Sequence, residues 1–319
     1  MKSKMLEVRK GIVLCLLFLP MAVGLVGCGS SHEKEATSAR AGSFSILVFS
    51  RTTDFRHVSI ETGVQTVQQL GAENGFTVDH TEDPTAFTSV NLAKYAAVLW
   101  LSTTGDVLNE EQQKAFEGYI SKGGGYVGVH SASDTEHDWP YYGELVGAYF
   151  ASHPVWPPGL NNEGQTFGIQ EAEFIREAAE HPATVHLPAR WRVTDEFYSF
   201  LTNPRGKVRV LLSIDESTYN PDPNTTNIPP GPYFPGGRTG VMNDHPMSWC
   251  HDNFGGRSWY TALGHDEALY SDPAFRQHLL GGILTATRRI RADCRPREIG
   301  PLAEPNEGPS FSATSVLDY

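Results

Sequence analysis

An α/β sandwich on a mainly parallel sheet is predicted by three observations. Between residues 44 and 130, short apolar runs rich in β-formers alternate with stretches of helical period. The runs are near-continuous, as in strands covered on both faces. About 260 residues lie between a polar leader and a polar tail, enough for one large core.

The first run, Phe44 to Ser50, reads as a buried strand. Residues 58–74 follow with apolar positions at Ile60, Val64, Val67 and Leu70, and Gly75 is the stop. Residues 76–80 and 96–101 are the next two strands. A helix is predicted over 109–122, because Asn109 can cap it, Gln112 occupies the capping-box position and Gly123-Gly124-Gly125 ends it. Residues 126–130 form the fourth strand. Strand and helix in alternation imply βαβ units. From Phe150 the pattern changes: strands are expected over 166–172, 191–200, 207–215, 247–251 and 258–263, and a last helix over 273–289. Residues 217–238 are a Pro- and Asn-rich loop, too long for an ordinary connection.

The N-terminus carries an export signal. Lys2, Lys4, Arg9 and Lys10 precede an apolar run from Gly11 to Val26, shorter than the roughly 20 residues that span a bilayer. It ends in Leu25-Val26-Gly27-Cys28, which resembles a bacterial lipoprotein signal. Cleavage after residue 27 and a lipid on Cys28 are expected. Residues 28–43 would then be a flexible tether, and the protein would sit in the cell envelope, anchored to a membrane outside the cytoplasm. Loss of residues 1–27 removes four basic side chains and one acidic one, taking the net charge from −12 to −15. So acidic a surface argues against nucleic acid as a partner. With Cys28 acylated, Cys250 and Cys294 remain, and export permits them to pair. Such a bridge would be worth about 4 kcal/mol by loop entropy; two free thiols or a shared metal are the alternatives.

Sites in a doubly wound sheet lie beyond the carboxyl ends of the strands. The loops there hold Arg56 and His57, Ser102 to Asp106, and His130 to Asp134. Farther on come His153, Asp195-Glu196-Phe197-Tyr198, His245 and His265. The fourth strand ends in a Gly-x-His-x-Ala turn, where an elbow would otherwise present Ser or Cys. His130 there can bind a metal or move a proton, but it cannot form an acyl-enzyme.

Phe55-Arg56-His57, Gly128-Val129-His130-Ser131, Ser152-His153, Asp195 to Tyr198, His245 to Trp249, Gly255 to His265 and His278 to Gly282 follow one another in the order of the ThuA-like (trehalose utilisation) family. The resemblance covers about residues 44–287. It implies a flavodoxin-like, class I glutamine amidotransferase-like fold without that group's catalytic cysteine, and a role in disaccharide breakdown, including oxidised 3-keto sugars. The domain is expected over 44–290, with a C-terminal extension over 291–319, disordered after about 303.

His130, Glu196, Asp195 and His245 are the candidate acid–base residues. Packing of Trp191, Phe197 and Tyr198 would desolvate the carboxylates, and neighbours on a strand face opposite ways, so only one can enter a given pocket. Arg56, His57, Tyr198, Trp249 and His265 are the candidate sugar contacts. His57, His130 and His153 could hold a divalent metal such as Zn²⁺ through neutral imidazoles, helped by Asp134 or a strand carboxylate. The expected partner is a carbohydrate and the expected reaction a hydrolysis or elimination, not amide transfer; a non-catalytic carbohydrate-binding lipoprotein is the rival.

Overall fold

Nine strands form one sheet in the order Thr77–Thr81, Ser45–Phe49, Ala97–Leu101, Gly125–Val129, Arg257–Thr261, Pro246–His251, Arg209–Ile214, Ile169–Arg176 and Arg190–Glu196, and a second sheet pairs Phe150–Ser152 with Ser199–Phe200. The computed structural model describes residues 43–154, 168–221 and 240–297. The predicted signal, Cys28, the tether, most of the 217–238 loop and the residues after 297 lie outside them.

The elements in chain order are β1 (Ser45–Phe49), α1 (Ile60–Asn74), β2 (Thr77–Thr81), α2 (Ser89–Leu92), β3 (Ala97–Leu101), α3 (Glu110–Ser121), β4 (Gly125–Val129), α4 (Pro140–Val146) and β5 (Phe150–Ser152). They continue with β6 (Ile169–Arg176), β7 (Arg190–Glu196), β8 (Ser199–Phe200), β9 (Arg209–Ile214), β10 (Pro246–His251), β11 (Arg257–Thr261) and α5 (Pro273–Ala286). Strands β2, β1, β3, β4 and β11 run parallel; the apolar residues of β1, β3, β4 and β11 are buried as the continuous runs require, whereas β2 lies at the sheet edge and is largely exposed. Strand β10 reverses direction, and β9, β6 and β7 extend the sheet antiparallel.

Local signals act as read. Gly75 ends α1 with φ 77°, and Asn109 and Gln112 close a reciprocal capping box on α3. The expected strand over 191–200 is instead two strands in different sheets. Phe197 packs on Phe174 and Tyr219, while Tyr198 stacks on His130. Burying both rings takes the chain out of the ladder between β7 and β8. Helix α4 has no counterpart in the sequence reading: seven residues, begun by Pro140 and stopped by Gly147, are too few for a period to register. Cys250 on β10 and Cys294 after α5 form a disulfide across 44 residues of chain. Among the described residues no helix is long and apolar enough to cross a membrane.

Candidate functional site

His130 is the first residue past β4, and it occupies a left-handed conformation with φ 53°. A non-glycine residue held there is strained, and its neighbours must hold it. The Tyr260 hydroxyl donates to the His130 carbonyl at 2.8 Å. The Tyr198 ring stacks on the imidazole with centroids 4.2 Å apart. His130 Nδ1 donates to the Ala262 carbonyl at 2.8 Å. A carbonyl can only accept, so this bond places a proton on Nδ1 and turns Nε2 toward the other site residues.

Nε2 faces a group from distant parts of the chain. Among the described residues, His57, His130, Glu196 and His265 each bring a ligand atom into a cluster no more than 4.8 Å across. His130 Nε2 lies 3.2 Å from His265 Nδ1 and 3.5 Å from Glu196 Oε2. His265 Nδ1 lies 2.9 Å from the same Glu196 oxygen. His57, after β1, meets the rings of His130 and His265 edge-on, and Ser131 Oγ is 3.3 Å from its Nδ1. The other Glu196 oxygen is 3.1 Å from His153 Nδ1, and His153 is the most exposed histidine touching this carboxylate.

Burial pushes the His57 pKa down to about 2, with the nearby charges of His130 and His265 adding to the effect. The ring is therefore neutral at physiological pH and offers a lone pair. Burial alone would raise the Glu196 carboxyl, but hydrogen bonds to His130 and His265 and the charge of His153 outweigh it and hold it below the usual range. Burial would lower His265; its bond to Glu196 and the surrounding carboxylates raise it instead. A carboxylate among largely buried imidazoles is a donor set suited to a divalent cation.

Asp195 and Glu196 divide as adjacent strand residues must. Asp195 turns away from the imidazoles. It accepts the backbone N–H groups of Gly264 at 2.7 Å, His265 at 3.4 Å and Asp266 at 2.8 Å, and so fixes the loop that carries His265. Gly264 is required in that loop: its φ is 127°, and a Cβ there would lie 2.8 Å from the Tyr270 hydroxyl.

Several expected site residues lie elsewhere. His245 is not an acid–base group at the cluster. It is buried behind it, with Nε2 donating to the Tyr198 carbonyl at 2.8 Å and Nδ1 2.9 Å from Glu216 Oε1. Trp249 is core: it is fully buried, and its indole N–H donates to the Val146 carbonyl at 2.7 Å. Arg56 turns outward to Glu61 and Glu82, at 2.7 and 2.9 Å. Asp134 pairs with His137 at 2.9 Å. His153 reaches Glu196, yet the third histidine of the compact group is His265, read from the sequence only as a sugar contact. Asp195 braces a loop rather than titrating in the pocket. Two further residues shape the site. Ser131 orients His57, and Phe55, 61% exposed, presents an apolar ring beside His57 with centroids 4.8 Å apart. Both stand inside motifs already quoted, which was the available signal.

The family model described as ThuA, trehalose utilisation, matches residues 45–286. Among solved structures, a ThuA-like protein from Bacteroides uniformis is 23% identical, with a TM-score of 0.59 over 79% of this chain and 93% of its own. One from Parabacteroides merdae is 19% identical, with a TM-score of 0.56 over 80% of this chain and 98% of its own. Both are alike in fold. No curated protein matches the chain by sequence.

Proposed function

The chain belongs to the ThuA (trehalose utilisation) family, and from that premise we propose that it is an exported, lipid-anchored enzyme that processes an oxidised carbohydrate at a divalent-metal site made by His57, His130, His265 and Glu196. The donor spacings carry this reading. Ligands 2.0–2.1 Å from a tetrahedral ion sit roughly 3.4 Å from one another. The separations among His130, His265 and Glu196 are 3.2, 3.5 and 2.9 Å, and a His57 nitrogen lies within 4.8 Å of each, so one small cation could take the place of the hydrogen bonds among these atoms. The Ala262 and Ser131 contacts supply the outer support that such ligands need.

A bound divalent ion would polarise a carbonyl or hydroxyl oxygen as a Lewis acid. The protein's own groups do the rest. Phe55 offers a flat apolar face to a sugar ring. His153, partly exposed beside Glu196, is placed to take a proton from the carbon next to a keto group. Loss of that proton and departure of the neighbouring glycosidic oxygen, which picks up a proton, is an elimination that needs no covalent nucleophile. Cys28 bears the anchor, and the acidic chain faces the aqueous side of the envelope.

The test is incubation of the purified full-length protein with a 3-keto disaccharide, with chromatography of the products and metal analysis of the protein. We expect conversion, about one equivalent of divalent metal, and loss of both in His130→Ala. Binding without conversion would favour a carbohydrate-binding lipoprotein instead. Neither metal nor conversion would end the reading. Mass spectrometry of the N-terminus should find acyl chains on Cys28, absent from Cys28→Ala.

A further inference from the structure

Away from the histidine cluster, one buried cation has no counter-charge among the described residues. Arg209 opens β9 and is only 5% exposed, yet its Nε and Nη1 have no hydrogen-bond partner. A buried guanidinium left unpaired is strongly unfavourable, so such groups are found with an acceptor. Arg209 borders two neighbouring cavities of about 750 and 740 Å³.

The charges around it do not cancel. In the second cavity Arg257 is held by Asp252 at 2.8 Å and Arg295 by Asp293 at 2.8 Å. Glu177 is engaged in a fork with Arg205, at 2.6 and 2.7 Å. These pairs leave Arg209 at the floor and Arg291 and Arg297 at the exposed mouth, opposed among the described lining residues only by Glu180. The disulfide makes this arrangement. Cys250 is the cross-strand partner of Arg209, and Cys294 stands between Arg291 and Arg297 in sequence. The bridge therefore pins the segment bearing the two outer arginines over the buried one.

We infer that Arg209, Arg291 and Arg297 form a binding site for a small oxyanion, a carboxylate, phosphate or sulfate group, assembled by the Cys250–Cys294 disulfide. Guanidinium hydrogens suit such oxygens in paired geometry, and an anion seated against Arg209 would supply its missing acceptors. No residue lining this second cavity belongs to the histidine cluster, so the inference stands apart from the proposed reaction.

Isothermal titration of the oxidised full-length protein with inorganic phosphate, inorganic sulfate and acetate, at matched ionic strength in chloride, is the experiment. Saturable binding of at least one of them is expected; failure of all three overturns the site. Arg209→Met should weaken binding at least about tenfold while melting no lower than the parent, since a buried charge is removed. Should that variant fail to fold, Arg297→Gln, at the exposed mouth, should still weaken binding several-fold. Unchanged affinity in whichever variant folds refutes the assignment. Reduction of the disulfide should weaken binding as well, and equal affinity in the reduced protein would refute the role given to the bridge.

Discussion

Glu196 Oε2 lies 2.9 Å from His265 Nδ1, although 69 residues separate them, and the neighbouring Asp195 holds the backbone from which that imidazole hangs. One strand end thus supplies both a candidate ligand and the brace for another. The brace is specific: three N–H groups converge on one carboxylate that is fully buried.

Asp195→Asn follows from that relationship. An amide keeps one oxygen but turns an NH₂ toward a backbone N–H, leaving a buried donor unmet, at about 1–3 kcal/mol. The variant should melt lower, and its affinity for Zn²⁺, read by competition with a coloured chelator, should fall about 10–100-fold. Parental affinity would show that the loop does not depend on this carboxylate.

Arg56→Ala should have little consequence. Its pairs with Glu61 and Glu82 are well exposed, and such pairs are worth at most about 1 kcal/mol. Turnover of a 3-keto disaccharide should stay within about twofold of the parent. A large rise in KM would instead restore Arg56 as a sugar contact.

The Glu216–His245 pair should show in the acid limb of stability. Burial would raise the Glu216 carboxyl, but its bonds to His245 and to the N–H groups of Met242 and Asn243 bring it below the usual value. A carboxyl depressed on folding adds stability that is fully present above its unfolded pKa, about 4.3, and is lost as pH falls through the folded value. Urea melts from pH 7 down to 3 should therefore lose stability more steeply in the parent than in Glu216→Gln. Parallel curves would exclude the contribution.

Reducing the Cys250–Cys294 bridge should cost about 2–4 kcal/mol, since it closes a loop of 44 residues. Urea titrations with and without dithiothreitol measure this. A lower midpoint is the expected form, with a somewhat steeper slope because the unbridged denatured chain is more expanded and exposes more surface.

Much of the architecture was legible because it is local. The period of residues 58–74, the Asn109/Gln112 box and the continuous apolar runs each fix an element within a few residues of itself. The antiparallel half was less so. Strands β7 and β8 merge in sequence, and only the burial of Phe197 and Tyr198 against distant rings separates them.

By itself the sequence determined the family, the alternation of strands and helices, His130 at the crest of the fourth strand and the two cysteines available to pair. Tertiary structure alone decided that His265 joins His57, His130 and Glu196, that His245 stands behind Tyr198, and that Trp249 belongs to the core. The reason is directional. Where a loop side chain points depends on backbone angles such as φ 53° at His130 and 127° at Gly264, and those are imposed by contacts with residues far away in the chain.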